Sequence, residues 1–542
     1  MARTSILAPR PLARLRFRRS TAQALLTAFF VPVLVGGPLL GASAAATSVD
    51  QAPGAVSANL GPIRSETVSF PLLLSSSSPP VCLETWARAA GLQVRWELGQ
   101  QFATVSGRPT EVDRGFDVSI HDYRARNGGR YFAANHRPVV PSHLCGEVAG
   151  AGVIRSYRTP NRDDVPGGGL LPQQLIRAYD GLPLTAQGIL GQHQTIVLFE
   201  ADGFSTQDLD AFDRLLPSGE QSPINLTVIG GNPGAKSGMP SESALDIETV
   251  HEIAPDARIV YVNLGSSQFS NDTTSQAFID AFQLADSRWK GAVWSVSLGL
   301  CETDGSTWDS SDLLAMANAV GVAESHGTTM FASSGDSGGL ECAPSTEGGQ
   351  PPQQSWVGVQ VPASLPTVTG VGGTSLSTTA NGSYVGETSW SEPLLSQGTG
   401  GGVSGVFARP SWQTGNGTGT YDPNNARQVP DVSADADSAT GNVIVEGGQK
   451  VTGGGTSLAT PIWAAFTALI DQYLTSHGGQ RVGFLNPDLY ALANGSPSYP
   501  PFHDVKVGGN DFYPATPGYD MATGLGSPDV WNLARDLAAK GA

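Results

Sequence analysis

The chain has 542 residues, of which 31 are Lys or Arg and 48 are Asp or Glu, giving a formal net charge of -17. Charged residues make up only 15% of the sequence, and no basic cluster stands out beyond the arginines near the N-terminus. This balance argues against a nucleic-acid-binding protein, because such proteins need a basic face for the phosphate backbone.

The N-terminal region has the pattern of a secretory signal peptide. Several arginines within the first 19 residues are followed by an uncharged stretch over residues 20–49, with small-residue cleavage sites at residues 42–46. We therefore predict a signal peptide over residues 1–46 and a secreted, extracellular product. No later segment is apolar over the length that a membrane span requires, so we expect no membrane association after the signal is removed.

Residues 47–158 have apolar patterns of their own, at residues 68–74, 85–92, 102–105 and 130–132. Short apolar runs mixed with a helical pattern predict a small α+β domain. A segment rich in Gly, Pro and Asp follows. We interpret residues 159–172 as a linker that is open to proteolytic cleavage.

Four cysteines in an exported chain favour two disulfide bonds, and the sequence alone permits three pairings. We favour Cys82 with Cys145 and Cys301 with Cys342. The first bond would lie within the N-terminal unit, and the second would connect two loops of the following domain. A zinc site is the alternative, although no Cys-x-x-Cys pair supports it.

From residue 194 onward, apolar strands alternate with helical patterns, which predicts an α/β fold with a parallel sheet covered by helices on both faces. Functional residues of such folds gather at the carboxyl ends of the strands. We assign residues 173–542 to one domain. The predicted strands are 195–200, 226–230, 258–262, 292–297 and 328–332, and the predicted helices are 206–216, 274–289, 312–326 and one beginning near Glu242.

Two segments of this domain carry residues suited to acid–base and nucleophilic chemistry. Ser457 follows a Gly-rich turn and precedes an apolar helical run over residues 458–469, a placement that exposes a nucleophilic hydroxyl or provides an N-cap. Glu242 and Asp246 lie four residues apart on a helix capped by Ser241, so the two carboxylates share one face. Such a pair forms either an acid–base pair or part of a solvated acidic surface.

A third segment places Asp336 in a run of small residues after a predicted strand. A carboxyl held in a poorly solvated turn stays protonated at low pH and can donate a hydrogen bond to an oxyanion. The alternative is a turn aspartate with a structural role only.

Together the three segments resemble the sedolisins, serine-carboxyl peptidases with a subtilisin-like fold. The resemblance covers most of the chain from about Leu171. Its motifs are Glu-x-x-x-Asp at residues 242–246, Gly-Asp-Ser-Gly at residues 335–338, Val-Pro-Asp-Val-Ser at residues 429–433 and Gly-Thr-Ser-x-x-x-Pro at residues 455–461.

The resemblance implies a role for each residue of the cluster. Ser457 is the nucleophile, Glu242 is the general base and acid, Asp246 orients Glu242, and Asp336 donates to the oxyanion. Because the reference pKa of glutamate is about two units below that of histidine, we expect an acidic pH optimum. Residues 47–158 resemble the sedolisin activation domain, which implies a zymogen whose prodomain blocks the cleft until the linker is cut.

Other residues leave alternatives open. Residues 335–339 also spell the nucleophile motif of trypsin-like proteases, but the His-Cys pair of those enzymes is missing, and His326 fits a helix end better than the histidine segment of subtilisins. We expect His251 on the surface or behind the catalytic residues.

Glu200 either extends the proton network, as in some sedolisins, or is a structural carboxylate at a strand end. Leu298 replaces a tryptophan of the family, which leaves subsite specificity open.

Near the C-terminus, carboxylates alternate with Gly-rich backbone, a combination that suits calcium. The segment resembles the sedolisin calcium site, which implies one structural Ca²⁺. The implied ligands are the side chains of Asp504 and Asp520 and the carbonyls of Val505, Thr516 and Gly518. The alternative is a turn stabilised by local hydrogen bonds to aspartate.

We therefore predict a secreted, monomeric acid endopeptidase that hydrolyses proteins or peptides through an acyl-enzyme on Ser457. Two alternatives remain: a tripeptidyl-peptidase of the same family, and a catalytically inactive subtilisin-fold protein that binds without cleaving. The maturation bond is not fixed by the sequence.

Overall fold

The structure is a computed structural model that describes residues 56–541 except 65–66, 77, 97–101, 126–129, 137, 153, 155–168, 218–220, 236–240, 270–273, 304–309, 343–356, 393–396, 423 and 511. The predicted signal peptide and most of the predicted linker lie outside the described residues. No helix in the described part is long and apolar enough to cross a membrane.

The N-terminal unit contains two antiparallel sheets and two helices. One sheet has the order β3-β4-β2-β7 and the other β1-β5-β6. Both helices bury apolar side chains at i, i+4 spacing, Leu83 with Ala87 and Val112 with Phe116. Each helix therefore packs one face against the four-stranded sheet. The elements are β1 (Val56–Pro62), β2 (Val68–Leu74), α1 (Val81–Ala89), β3 (Gln93–Arg95), β4 (Phe102–Gly107), α2 (Pro109–Phe116), β5 (Ile120–Ala125), β6 (Arg130–Ala134) and β7 (Val148–Ala151).

The rest of the chain is built around an eight-stranded sheet. Its helices are α3 (Pro172–Ala178), α4 (Leu182–Thr185), α5 (Thr206–Asp213), α6 (Glu242–Ile253), α7 (Thr274–Arg288), α8 (Ser310–Ser325), α9 (Thr456–Ser476), α10 (Asn486–Asn494) and α11 (Val530–Lys540). Its strands are β8 (Thr195–Glu200), β9 (Leu226–Ile229), β10 (Arg258–Asn263), β11 (Val293–Val296), β12 (Leu300–Cys301), β13 (Thr329–Ser333), β14 (Gln360–Val361), β15 (Thr369–Thr378), β16 (Tyr384–Ser389), β17 (Ser391–Glu392), β18 (Gln397–Gly398), β19 (Gly402–Ala408), β20 (Ala426–Val429), β21 (Val432–Asp435), β22 (Val443–Glu446), β23 (Gln449–Thr452), β24 (Phe502–His503) and β25 (Ser527–Pro528).

The sheet order is β16-β15-β13-β11-β8-β10-β9, and β21 also pairs with β15. All of these pairings are parallel except that of β15 with β16. Side chains of β8 alternate between the two faces: Ile196 and Leu198 join the core under α6 and α9, whereas Val197 and Phe199 join the core under α7 and α8. The predicted α/β fold with a sheet covered on both faces is therefore confirmed.

Most predicted element boundaries agree with the structure within one or two residues. Helix α5 ends at Asp213 rather than residue 216, because Leu215 and Leu216 donate to carbonyls three residues back and tighten the chain into a turn. Helix α9 begins at Thr456 and continues to Ser476, longer than the predicted 458–469, because nearly its whole surface is buried.

Both favoured disulfide pairings are present. Cys82 is bonded to Cys145, and Cys301 to Cys342. No free cysteine is left among the described residues, so the zinc alternative is wrong.

Candidate active site

Ser457 lies in the first turn of α9, at the second helical position. The N-cap is Gly455, with φ of 85°, so the alternative that Ser457 is an N-cap is wrong. A Cβ on Gly455 would lie 2.8 Å from Oδ2 of Asp336, so glycine is needed here for both backbone conformation and space. The turn therefore packs the start of α9 directly against Asp336.

Ser297 holds the Ser457 segment from the end of β11. The hydroxyl of Ser457 donates to the carbonyl of Ser297 at 3.4 Å, and the Ser297 hydroxyl lies 3.3 Å from the Ser457 carbonyl. That carbonyl has no donor four residues later in the helix, because Pro461 lacks an N–H group. The Ser297 hydroxyl also donates to Oδ2 of Asp246 at 2.7 Å, which links the serine to the acid pair.

Glu242 and Asp246 both lie on α6, which packs against α9. Ser241 is the N-cap of α6 and accepts the N–H of Ala244 at 3.0 Å, as its sequence position predicts. Every residue of α6 is buried, so the alternative of a solvated acidic face is wrong. The two carboxyls are therefore held in the interior beside the nucleophile segment.

The environment keeps a proton on this pair. Burial, followed by the charge of Asp246, raises the pKa of Glu242 well above its usual range. Burial raises the pKa of Asp246 to about 7, against hydrogen bonds from Ser297 and Glu200. Ser457 lies close enough to oppose the shift in the Glu242 pKa, yet neither oxygen of Glu242 has a hydrogen bond of ordinary geometry. In enzymes without bound substrate, the hydrogen bonds between catalytic groups are often long or poorly aligned.

Asp336 lies on the turn that follows β13, where Gly335 has φ of 109°. Its Oδ1 accepts both the N–H and the hydroxyl of Thr456, each at 2.8 Å. Burial raises the pKa of Asp336, and the two Thr456 bonds oppose that shift. Asp336 thus anchors the residue next to Ser457, and its charge also raises the pKa of Glu242.

Glu200 ends β8 and is buried beside the pair. Burial, followed by the charge of Asp246, raises the pKa of Glu200 well above its usual range. One oxygen of each carboxyl has no other partner, and a shared proton would satisfy both. The structure therefore brings Glu200 into the acid cluster.

Sequence reasoning missed two contributors. The sequence patterns single out neither Ser297, next to Leu298, nor Asp202, two residues after Glu200. The carboxylate of Asp202 accepts the N–H of Glu242 at 3.0 Å and that of Ser243 at 3.1 Å. The available signal was position, since both residues follow the carboxyl ends of parallel strands.

The histidines lie elsewhere. His251 is buried, with Nε2 3.2 Å from Oδ1 of Asp213, so the expectation of a surface position is wrong. His326 contacts Asp286 at the end of α8, where Gly327 has φ of 90°, as expected for a helix end. No histidine in the described part of the chain hydrogen-bonds to Ser457. The site therefore has carboxyls where trypsin-like enzymes and subtilisins have an imidazole.

The predicted calcium ligands lie around one turn. Both oxygens of Asp504 accept the N–H of Gly518 at 3.2 Å, and Oδ2 of Asp520 accepts that of Thr516 at 2.8 Å. Lys506 also lies 3.2 Å from Asp504. No cluster of three His, Cys, Asp or Glu side chains suited to a metal occurs among the described residues, and the predicted set has two carboxylates with backbone carbonyls. Oxygen donors are the ligands that a hard cation takes. Oδ1 of Asp520 also accepts the N–H groups of Ala522 at 2.9 Å and Thr523 at 2.8 Å, as the local-turn alternative predicts, so that alternative stays open.

Comparison with known proteins agrees with this geometry. Residues 227–482 match the family model described as the Subtilase family. Kumamolisin from Bacillus sp. (strain MN-32) is 35% identical over 359 residues, which cover 63% of this chain and 59% of kumamolisin. Sedolisin from Pseudomonas sp. (strain 101) is 37% identical over 292 residues, covering 52% of this chain and 46% of sedolisin. The matches thus span less than two thirds of these relatives.

A longer match is to tripeptidyl-peptidase sed4 from Aspergillus fumigatus, 26% identical over 521 residues, covering 83% of this chain and 82% of that protein. A solved structure of Pseudomonas sedolisin, a serine-carboxyl proteinase complexed with two molecules of pseudo-iodotyrostatin, matches with a TM-score of 0.58 and 31% identity, covering 70% of this chain and 100% of that one. The fold is that of the subtilisin-like serine peptidases. This chain belongs to the sedolisin family.

Proposed function

We propose that this protein is an acid-acting serine-carboxyl endopeptidase with protein or peptide substrates. The observation that carries the proposal is a continuous contact path from the nucleophile to the acid pair: Ser457 contacts Ser297, and Ser297 donates to Asp246, one turn from Glu242. A binding protein that had lost catalysis would have no need to keep two buried carboxyls beside a serine, because each costs stability when ionised.

In the proposed reaction, the Glu242–Asp246 pair carries one shared proton. As the hydroxyl of Ser457 attacks the carbonyl carbon of the scissile bond, its proton passes to Glu242 and the shared proton moves onto Asp246. Asp336, in its protonated form, donates a hydrogen bond to the oxyanion that develops. Glu242 then passes its proton to the leaving amine as the C–N bond breaks. Water hydrolyses the acyl-enzyme by the same steps, and the serine hydroxyl is restored.

This chemistry sets a pH dependence. Asp336 must carry a proton to donate, and burial raises its pKa. Above that pKa it ionises and repels the oxyanion. Ionisation of the Glu242–Asp246 pair likewise removes the proton that the pair shares. Activity should therefore fall as the pH rises toward neutrality.

The test is digestion of a peptide library at about pH 3 to 5 by the mature protein and by Ser457→Ala. Internal cuts that disappear in the variant would support the proposal, and cleavage that survives would contradict it. Covalent trapping of Ser457 by a peptide aldehyde adds a second readout, because a protein that only binds peptides would not react.

A tripeptidyl-peptidase is the second candidate. The match to tripeptidyl-peptidase sed4 over most of both chains favours it. Because Leu298 replaces the tryptophan of the family, the substrate specificity of another relative cannot be transferred to this chain. Stepwise release of three-residue fragments from free N-termini would identify this activity. Blocking the N-terminus of the substrate would abolish such release but leave internal cleavage unchanged.

We further propose secretion as a zymogen, with residues 47–158 as an inhibitory prodomain and cleavage in the linker at residues 159–172. The sequence pattern of the first 46 residues supports export, and the compact N-terminal unit supports a separately folded inhibitor. Incubation of the full chain at acid pH should yield a shorter active form. Ser457→Ala should remain uncut.

We also propose one structural Ca²⁺ held by Asp504, Asp520 and the carbonyls of Val505, Thr516 and Gly518. Burial raises the pKa of Asp520 to about 6, so acid should weaken the site by protonating a ligand. Adding Ca²⁺ at about 100 times its dissociation constant should stabilise the protein by about 3 kcal/mol near neutral pH, and Asp520→Asn should remove that gain. A melting temperature unaffected by Ca²⁺ and by a chelator would contradict this assignment.

A further inference from the structure

Asp202 follows β8 by two residues and contacts the first turn of α6. Its carboxylate accepts the N–H groups of Glu242 and Ser243, at 3.0 and 3.1 Å, and the Ser243 hydroxyl. Its own backbone carbonyl accepts from the hydroxyl of Tyr261 and lies 3.2 Å from that of Ser243. Both the side chain and the backbone of Asp202 are therefore fixed relative to the helix that carries Glu242.

Helix α6 does not depend on Asp202 for its usual N-cap, because Ser241 already accepts the N–H of Ala244. Asp202 instead takes the N–H groups of the first two helical residues, which an N-cap serine leaves free. The donor at 3.0 Å is the backbone of Glu242 itself. Any displacement of Asp202 would therefore move the proposed base directly.

A carboxylate is a costly choice at this place, because other acidic groups surround it. Besides Asp246 on α6, the groups that face this turn are Glu200 from β8, Asp336 from the turn after β13, and Glu446 from β22, whose carboxylate accepts the N–H of Ser241. The Tyr261 hydroxyl is the uncharged neighbour. A serine or asparagine would cap the same N–H groups without a like charge, so stability alone does not explain an aspartate.

We propose that Asp202 is a positioning residue for Glu242: its carboxylate fixes the first turn of α6 opposite Ser457 and holds an additional negative charge beside the Glu242–Asp246 pair. This inference rests on the proposed role of Glu242 as the base. In this proposal, Asp202 also sets the pH range in which the Glu242–Asp246 pair is active. Burial raises the pKa of Asp202 itself, against hydrogen bonds from Ser243 and Glu242, so its charge is present on the alkaline side of the profile. There it adds to the effect of burial in raising the pKa values of Glu242, Asp246 and Glu200.

The test compares pH profiles of kcat/KM for wild type, Asp202→Asn, Asp202→Glu and Asp208→Asn. Asp208 is the matched control, because its carboxylate also accepts two backbone N–H groups, from Gly447 at 2.9 Å and Gly448 at 2.8 Å, on the hairpin β22–β23. Asp202→Asn should move the alkaline limb of the profile to lower pH by about half a unit or more, since a like charge is removed from beside the pair. Asp202→Glu keeps the charge and should keep the position of the profile, with a lower maximum. Asp208→Asn should leave the profile unchanged.

An Asp202→Asn profile that superimposes on that of the wild type would overturn the inference and leave Asp202 as a structural cap. If the asparagine variant does not fold, Asp202→Ser provides the uncharged cap for the same comparison with Asp202→Glu. If the proposed function itself is wrong, the result is different, because the wild type would then show no peptidase activity.

In that case the melting temperature still reports on Asp202, measured from about pH 4 to 8 in a Ser457→Ala background. Glu242 has a folded-state pKa above its unfolded value, so stability is present at low pH and is lost as the pH rises. Without Asp202 the folded-state pKa of Glu242 is lower, and the loss should be smaller. The same pair of curves in a Glu242→Gln background corrects for the raised pKa of Asp202 itself. Curves for Asp202→Asn and its parent that fall in parallel would overturn the inference.

Discussion

Helix α6 carries two pairs of buried acids with the same spacing but different surroundings. Glu242 and Asp246 face α9 and the Ser457 segment, whereas Glu248 and Glu252 lie toward the hairpin β22–β23. Both pairs are at i, i+4, and their members are all buried. Spacing and burial therefore do not separate a functional pair from a structural pair.

The partners make the difference. Glu248 accepts the backbone N–H of Val445 at 2.7 Å, a contact that fixes the hairpin to the helix. Burial raises the pKa of Glu252 to about 8, and neither of its oxygens has a hydrogen bond of ordinary geometry. The first pair instead lies beside a serine hydroxyl and further carboxyls that can exchange protons with it. An acid becomes a plausible base when its neighbours include a group that must lose a proton.

The sharpest test of this comparison replaces one acid in each pair. Glu242→Gln should lower kcat/KM by a factor on the order of 10² to 10⁴, the usual contribution of a general base, because the amide cannot accept the proton of Ser457. Glu248→Gln preserves size and burial on the same helix, and should leave kcat/KM near that of the wild type. The measurement is cleavage of one fluorogenic peptide at the acid optimum. Equal losses in the two variants would mean that α6 contributes only by folding.

The second test concerns the stability that each pair loses on ionisation. Glu252 is protonated in the folded protein up to about pH 8, above its unfolded pKa, so stability is full at low pH and falls as the pH rises toward 8. Glu252→Gln should abolish that share of the loss. We expect the variant to match its parent near pH 4 and to exceed it by a few kcal/mol at most near pH 8.

Denaturant unfolding at these two pH values, in a Ser457→Ala background that prevents self-digestion, measures the difference. Asp246, whose pKa is raised to about 7, should contribute in the same direction from the first pair. A Glu252→Gln variant that differs from its parent equally at both pH values would show that the pKa of Glu252 in the folded protein is close to its unfolded value, and would remove this part of the comparison.

The sequence predicted the strands and the shared face of Glu242 and Asp246, because both follow from local periodicity. It did not predict that the whole of α6 is buried. The hairpin that covers the second half of the helix comes from residues 443–452, far along the chain, and no local pattern reports such a contact. The roles of Ser457 and Asp336 came from the family resemblance, since a Gly-rich turn alone fits many functions.

The contacts of Ser297 and Asp202 were missed for the same physical reason. Each lies at the carboxyl end of a central strand, and each makes its important hydrogen bond to a helix that the topology brings alongside. Likewise, the three-residue error at the end of α5 arose because apolar residues continue beyond Asp213, while the backbone tightens into a turn. Composition predicts which residues are apolar, but tertiary hydrogen bonds decide where the helix ends.

The smallest expected effect comes from Ser297→Ala. This change removes the 2.7 Å hydrogen bond to Asp246 but keeps the backbone carbonyl that accepts from Ser457. Loss of one buried hydrogen bond to the acid pair should lower kcat/KM roughly tenfold. Because the Ser297 bond lowers the pKa of Asp246, its loss should also raise that pKa and move the alkaline limb of the profile to higher pH.

Thr249→Val is the control for this change in the second half of α6, where the Thr249 hydroxyl oxygen accepts from Asn442 at 3.3 Å. The change removes a hydroxyl that is as buried as that of Ser297. It should lower the melting temperature slightly without moving the pH profile. If Ser297→Ala behaves like Thr249→Val, the path from Ser457 to Asp246 is packing alone. A shifted alkaline limb in Ser297→Ala only would establish that the first pair, unlike the second, is coupled to the nucleophile through a hydroxyl that the sequence did not single out.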